Sequence, residues 1–212
     1  MFRKDSILKM SSQGHSPHNI IPTLIRPGSL VLDVGCNAGF LGKKLIEEKR
    51  CVVDGVDINK EALAIAAESY RKIFEKDLSG SSLDLGSEQY DYIIFGDILE
   101  HLPRPDLLLK NCRNYLKDTG RIIISLPNVA RGEIRLKLML GNFEYAPGIM
   151  SEDHLRFFTK KSAARMIRQC GYDVKAVYPT GLGHMIKIFP TLTAFQFIFI
   201  CKKKIDQDNF LL

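Results

Sequence analysis

The chain has no C-x-x-C pair, no internal repeat, no low-complexity tract and no uninterrupted apolar run long enough to cross a bilayer. Each absence removes a class of protein. The five cysteines, Cys36, Cys51, Cys112, Cys170 and Cys201, are odd in number and widely spaced. Neither a disulfide framework nor a zinc knuckle is encoded, and a reducing, cytoplasmic setting is the expectation. Met1 to His18 carries Arg3, Lys4 and Lys9 without an apolar core, which argues against a secretory signal. The most apolar late stretch, Met185 to Cys201, is broken by Lys187, Pro190, Thr191, Thr193 and Gln196. It reads as a connection into a core strand, so no transmembrane segment is expected.

What the chain does have is a basic balance, with 30 Lys and Arg against 24 Asp and Glu for a net charge of +6. That charge suits a polyanion or peripheral contact with an anionic membrane. The basic residues are nevertheless scattered, with Lys202, Lys203 and Lys204 the one dense run, so a solvated face is the simpler reading and no nucleic-acid partner is expected. His15 and His18 read as exposed tail residues. Oligomeric state is not encoded.

With 212 residues the chain suits one domain. Asn19 to Ile25 reads as a short helix, and Arg26-Pro27-Gly28 turns it into an apolar strand from Ser29 to Val34, as expected of a strand buried on both faces. Helix Gly39 to Lys49 and strand Cys51 to Val56 complete a β-α-β unit. The alternation continues with helix Lys60 to Phe74, strand Tyr90 to Phe95, helix Pro105 to Leu116 and strand Gly120 to Leu126. Thr159 to Cys170 is a capped helix, and Tyr172 to Tyr178 and Ala194 to Lys202 are the last strands. The pattern predicts an α/β fold, a doubly wound, mostly parallel seven-stranded sheet with helices on both faces. Four parts follow: an N-terminal segment 1–28, a core 29–127, an irregular insertion 128–158 expected to act as a lid, and a C-terminal helix with strands at 159–212.

Chemistry concentrates in Val31-Leu32-Asp33-Val34-Gly35-Cys36-Asn37-Ala38-Gly39, a buried strand entering a glycine turn that opens a helix. Gly35 permits close backbone approach, and Gly39 is expected to let the following helix pack closely on the strand. Asp57 ends the next strand about twenty residues on, where a carboxylate accepts hydrogen bonds from ribose hydroxyls. Together these specify an adenosine-containing ligand. Asn37 and Phe40 occupy the second and third glycine positions of G-x-G-x-x-G, which argues against a nicotinamide dehydrogenase.

These segments resemble the class I S-adenosylmethionine-dependent methyltransferases, whose first motif usually runs Asp-x-Gly-x-Gly-x-Gly. Asn37 stands at the middle glycine, a departure that a left-handed backbone would accommodate because Asn enters that region readily. Lys76-Asp77-Leu78 resembles the third motif, Tyr90 to Leu102 the fourth, and Leu116-Lys117-Asp118-Thr119-Gly120 the turn before the fifth strand. Leu126 to Ala130, Arg135 to Leu138 and Asp153 to Thr159 further resemble methyltransferases of surface-polysaccharide gene sets and ubiquinone-type O-methyltransferases.

The resemblance implies S-adenosyl-L-methionine as cofactor, held by Asp33, Gly35, Cys36, Asn37, Gly39, Phe40, Asp57, Ile58, Asp77, Leu78, Asp97, Ile98 and Leu99. It implies a small-molecule or saccharide acceptor near Glu100 and His101, with His154 and Arg156 in the insertion as substrate contacts. His101 is the candidate general base, because an imidazole titrates near neutrality. Glu100 is the second catalytic candidate, its alternative a first-turn carboxylate favoured by the helix dipole. Glu100 and His101 have no identifiable third partner in sequence, so no metal is expected. Two other readings stay open: a non-catalytic partner resembling the methionine-biosynthesis W family, and an RNA methyltransferase, which the missing Pro-Pro-Tyr signature and appended RNA-binding module disfavour.

Overall fold

The computed structural model describes residues 16–80, 83–181 and 189–204. His15 and the 185–188 part of the late apolar stretch lie outside them. Seven strands form one sheet in the order β3-β2-β1-β4-β5-β7-β6. β1 (Leu30–Val34), β2 (Val52–Asp57), β3 (Lys72–Glu75), β4 (Tyr90–Gly96) and β5 (Leu116–Pro127) run parallel; β7 (Gln196–Lys203) is antiparallel to both β5 and β6 (Tyr172–Pro179). The four central parallel strands are the continuous apolar runs of the sequence, buried because helices cover both faces. Their register aligns Asp33 with Gly55 and Ile94, which sets the C-terminal ends of β1, β2 and β4 side by side. In open α/β sheets, ligands bind at that edge.

Helices α2 (Phe40–Lys49), α3 (Lys60–Ala66), α4 (Pro105–Cys112) and α6 (Lys160–Gln169) are the crossovers and flanking layers. Asn59 caps α3, its side chain accepting from Ala62 N–H at 2.9 Å, and Thr159 with Ser162 forms a reciprocal cap on α6. Near the N-terminus, α1 (Pro17–Ile20) gives way to a 3₁₀ turn, Ile21–Leu24, rather than continuing as the expected helix to Ile25. Pro22 has no N–H to extend it.

Three expectations need correction. The helix expected over Lys60 to Phe74 ends at Ala66, and Lys72–Glu75 pairs with Asp54–Asp57 as β3. This edge strand is mostly exposed, so its own residues carry no burial pattern, and pairing with β2 decides its state. The helix expected to run to Leu116 ends at Cys112, because β5 begins at Leu116, and an irregularity opposite Tyr90 and Tyr92 absorbs the turn sequence Lys117 to Gly120. The closest approach that Gly39 permits is to α3 rather than to β1: a Cβ there would lie 3.0 Å from Ala66 and from Tyr70, on and just after α3.

The insertion contains α5 (Gly132–Met139) and is otherwise without regular structure up to Thr159. Its base is closed by a parallel bridge between Asn128 and Phe158, with Val129 N–H donating to the Phe158 carbonyl at 2.9 Å. Asn128 is fully buried, and its Nδ2 donates to the Thr191 and Ala194 carbonyls around α7 (Pro190–Thr193). The segment therefore leaves and rejoins the core at one polar clasp.

Candidate active site

The turn after β1 is built from three left-handed residues, Gly35 at φ +76°, Asn37 at +47° and Gly39 at +77°. Asn37 adopts the conformation its residue type permits, and its Oδ1 accepts from Ala38 N–H at 2.7 Å. Gly35 is required twice. Its φ disfavours a side chain, and a Cβ would lie 2.6 Å from Cγ1 of Ile98 at the end of β4.

Asp57 binds this turn to β2. One carboxylate oxygen accepts from Asn37 N–H at 2.8 Å and the other from Asn59 N–H at 2.9 Å, so the group is oriented in advance. Ile58 beside it is 63% exposed and Phe40 across the turn 54%, an apolar flank beside a fixed carboxylate. Lys76 N–H donates to the Asp57 carbonyl, which brings Asp77 to the same edge. Asp77 is exposed, and hydrogen bonds from the Ser79 hydroxyl and N–H hold its carboxyl below the usual range.

Other expected cofactor contacts turn inward. Asp33 is 3% exposed, and Oδ2 accepts from the Tyr70 hydroxyl at 2.7 Å. Burial raises its pKa to about 6 against the lowering effect of Tyr70, and the charge of Asp57 adds to the rise. Cys36, Leu78 and Leu99 are core side chains, which leaves their backbone at the site. Tyr70 is the residue that the sequence reading missed. Its hydroxyl also accepts from Gly42 N–H at 3.1 Å, and a Cβ on Gly42 or Gly55 would lie 2.1 or 2.6 Å from its ring or hydroxyl. A glycine inside a helix and another inside a strand mark close approach, although neither names its partner.

At the end of β4, Asp97 has φ +54°, uncommon for a non-glycine residue. Ser125, buried on β5, holds it by accepting from Asp97 N–H at 3.0 Å and donating to Asp97 Oδ1 at 2.6 Å. A single 3₁₀ turn, Leu99–His101, follows. Glu100 is 1% exposed with neither carboxyl oxygen hydrogen-bonded, and its backbone carbonyl accepts from Leu155 and Arg156 N–H. Burial, then the charges of Asp97 and Asp153, push its pKa well above the usual carboxylate range.

His101 and His154 meet edge to face, with ring centroids 4.8 Å apart. Nδ1 of His101 is 3.1 Å from the Asp153 carbonyl, and Nδ1 of His154 is 3.0 Å from the Ile149 carbonyl. Burial lowers the His154 pKa. Ser151 and then His101 hold Asp153 below its ordinary value. Arg156 donates from its guanidinium to the Pro103 carbonyl and so ties the insertion to the loop after β4. The fold also overturns the absence of a third ligand. One donor atom each from Glu100, His101 and His154 lie within 4.8 Å of one another.

A carboxylate aligned for ribose beside a turn too tight for side chains fits adenosine, and the family comparison agrees. The family described as methyltransferase domain matches residues 14–177. The chain belongs to the class I S-adenosylmethionine-dependent methyltransferases. Its cofactor is S-adenosyl-L-methionine. A ubiquinone biosynthesis O-methyltransferase of Glaesserella parasuis serovar 5 (strain SH0165) is 28% identical over 155 residues, 69% of this chain and 64% of that relative. One from Nitrosospira multiformis is 28% identical over 172 residues, 76% of this chain and 70% of that relative. This methyltransferase thus spans about two thirds of their length.

Among solved structures, the PH0226 protein of Pyrococcus horikoshii OT3 superposes with a TM-score of 0.67 at 17% identity, covering 95% of this chain and 92% of that one. The 1,6-didemethyltoxoflavin-N1-methyltransferase of Burkholderia thailandensis, with 1,6-didemethyltoxoflavin and S-adenosylhomocysteine bound, gives 0.64 at 19% identity, covering 95% of this chain and 83% of that one. At these identities the superpositions establish the fold alone. Among the described residues no helix is long and apolar enough to cross a membrane.

Proposed function

We propose that the chain transfers the methyl group of S-adenosylmethionine to an oxygen of a small-molecule acceptor held between the end of β4 and the insertion. The observation that carries this reading is adjacency. The cofactor turn touches Ile98, and Ile98 stands two residues before the Glu100, His101 and His154 cluster. The bound cofactor supplies an electrophilic methyl carbon on a sulfonium; the chain contributes binding, orientation and water exclusion.

In this reading Asp57 receives the ribose hydroxyls, the backbone of Gly35 to Gly39 lies against the cofactor, Ile58 and Phe40 flank the base, and Asp77 lies at its edge. Backbone and side-chain atoms of Asp97 to Leu99 border the methionine end. Asp33 supports the turn from below through Tyr70. At the acceptor end, a proton on His101 Nδ1 donated to the Asp153 carbonyl leaves Nε2 free to accept the acceptor's proton. His154 borders the same space, while Arg156 anchors the insertion. Residues 128–158 act as the selecting lid, and they enclose a cavity of about 160 Å³ lined by Ile134, Leu138, Phe143 and Ile149 together with Phe195.

Oxygen is favoured over nitrogen because the similar curated proteins are named O-methyltransferases. A saccharide acceptor in surface-polysaccharide synthesis, and a cytoplasmic setting, rest on motif resemblance and cysteine usage. Calorimetric titration with S-adenosylmethionine and S-adenosylhomocysteine tests the first half. Binding by the intact protein, weakened about tenfold or more by Asp57→Ala through loss of charge-assisted hydrogen bonds, is the expected result. A screen of phenolic, saccharide and lipid-linked hydroxyl acceptors then tests the second. An intact protein that binds neither cofactor form overturns the reading.

A further inference from the structure

Tyr70 lies far from the cofactor turn in sequence, yet the turn is built around it. Arg71 N–H donates to the Val53 carbonyl at 2.8 Å, which lays the chain after α3 against β2. Three glycines leave room for the Tyr70 side chain: a Cβ on Gly42 would overlap its hydroxyl, and one on Gly39 or Gly55 would lie 3.0 or 2.6 Å from its ring. The hydroxyl is committed in both directions. It donates to Asp33 Oδ2 at 2.7 Å, and it accepts from Gly42 N–H at 3.1 Å. Gly42 is the third residue of α2, and the first N–H groups of a helix have no partner within it. Gly39, at the cap position, has no side chain to offer, so Tyr70 supplies from another element the cap that the turn itself lacks.

We propose that Tyr70 is a positioning residue for methyl transfer: acting through Asp33 on β1 and Gly42 on α2, its hydroxyl holds the Gly35 to Gly39 turn in the shape that receives the cofactor. Asp57 restrains the middle of the turn through Asn37 N–H; Tyr70 restrains its two ends. A turn already in its bound shape spends less of the binding energy on ordering. The same hydroxyl governs the charge beneath the turn. Burial raises the Asp33 pKa to about 6, donation from Tyr70 opposes that rise, and the charge of Asp57 adds to it. Burial keeps the neighbouring Cys36 thiol neutral. S-adenosylmethionine brings a sulfonium cation, which an ionised Asp33 attracts. Cofactor affinity should therefore increase as pH climbs through about 6, and loss of the Tyr70 donation should move that increase to higher pH. The inference rests on S-adenosylmethionine as the cofactor and is independent of the acceptor.

The test is calorimetric titration of the full chain with S-adenosylmethionine between about pH 5 and pH 8, on the intact protein, Tyr70→Phe and Gly42→Ala. Phenylalanine keeps the ring among the three glycines and removes only the oxygen. The alanine methyl displaces the hydroxyl and leaves Tyr70 and Asp33 in the sequence. Each variant should weaken cofactor binding about tenfold at neutral pH and shift the midpoint of the pH dependence upward, which a loss of packing alone does not do. Protons taken up by His101 and His154 on the acceptor side are common to all three proteins, so the shift between them reports on Asp33. If circular dichroism shows that one variant fails to fold, the other carries the test. Binding within about threefold of the intact protein, or weaker binding with an unmoved midpoint, overturns the inference and leaves the cofactor reading standing. An intact protein that binds no cofactor overturns both.

Discussion

Three carboxyl groups are buried among the described residues, Asp33, Asp54 and Glu100, and the two halves of the molecule treat them differently. In the cofactor half, Asp54 is fully buried but takes two hydrogen bonds from Arg71 and one from Tyr90, and Asp33 takes one from Tyr70. In the acceptor half, Glu100 is buried as deeply and takes none. The apolar surface divides the same way. Strands β1, β4 and β5 bury their large apolar side chains, whereas the insertion leaves Met139, Leu140, Phe143 and Tyr145 more than half exposed. A half whose polar groups are satisfied internally is a finished scaffold. One that keeps unsatisfied groups and uncovered apolar surface together retains binding energy for something outside the chain.

The sharpest way to break this contrast is His101→Ala. If the acceptor half carries the chemistry and little of the cofactor's grip, turnover falls about a hundredfold or more while cofactor affinity changes less than threefold. Parallel loss of both would merge the two halves into one binding site.

A smaller effect separates a buried acid with a partner from a neutral one. The Asp33 pKa rises from 3.8 to about 6 on folding, so its favourable contribution is complete below the unfolded value and is lost as pH climbs through about 6. The difference amounts to ~3 kcal/mol. Urea denaturation of Asp33→Asn should therefore show its stability relative to the native sequence rising by about that amount between pH 3.5 and pH 7. A constant difference across that range would mean that Asp33 does not ionise where the geometry requires.

The smallest change is expected at Asn37. Its φ of +47° is one that glycine adopts freely, so Asn37→Gly should leave cofactor affinity within about threefold, whereas a β-branched Val there is an outlier conformation and should weaken it more. Calorimetry on the two variants distinguishes backbone shape from side-chain chemistry in the turn.

The legible parts of the sequence were those where the cause is local. Val31 to Val34, Tyr90 to Phe95 and Ile122 to Leu126 are apolar but for Asp33, Asp91 and Ser125 because both faces are covered, and that pattern announces a parallel sheet. Gly35, Asn37 and Gly39 announce a left-handed turn through what their side chains permit, and Asp57 stands out by ending the next strand. β3 was missed because four largely exposed residues owe their conformation to β2. Tyr70 was missed because a phenol four residues past the end of α3 gives no sign that it will lie between Asp33 and Gly42.

By itself, then, the sequence determined the strand order of burial, the shape of the cofactor turn and the family. Tertiary structure alone decided that Asp33 faces Tyr70, that Arg156 anchors a loop, and that His154, more than fifty residues beyond His101, comes to rest against its ring. Periodicity and turn chemistry report on neighbours within a few bonds. The meeting of Glu100, His101 and His154 depends on how an irregular segment returns across the sheet edge after the Asn128 clasp, and no local preference of its residues encodes that path.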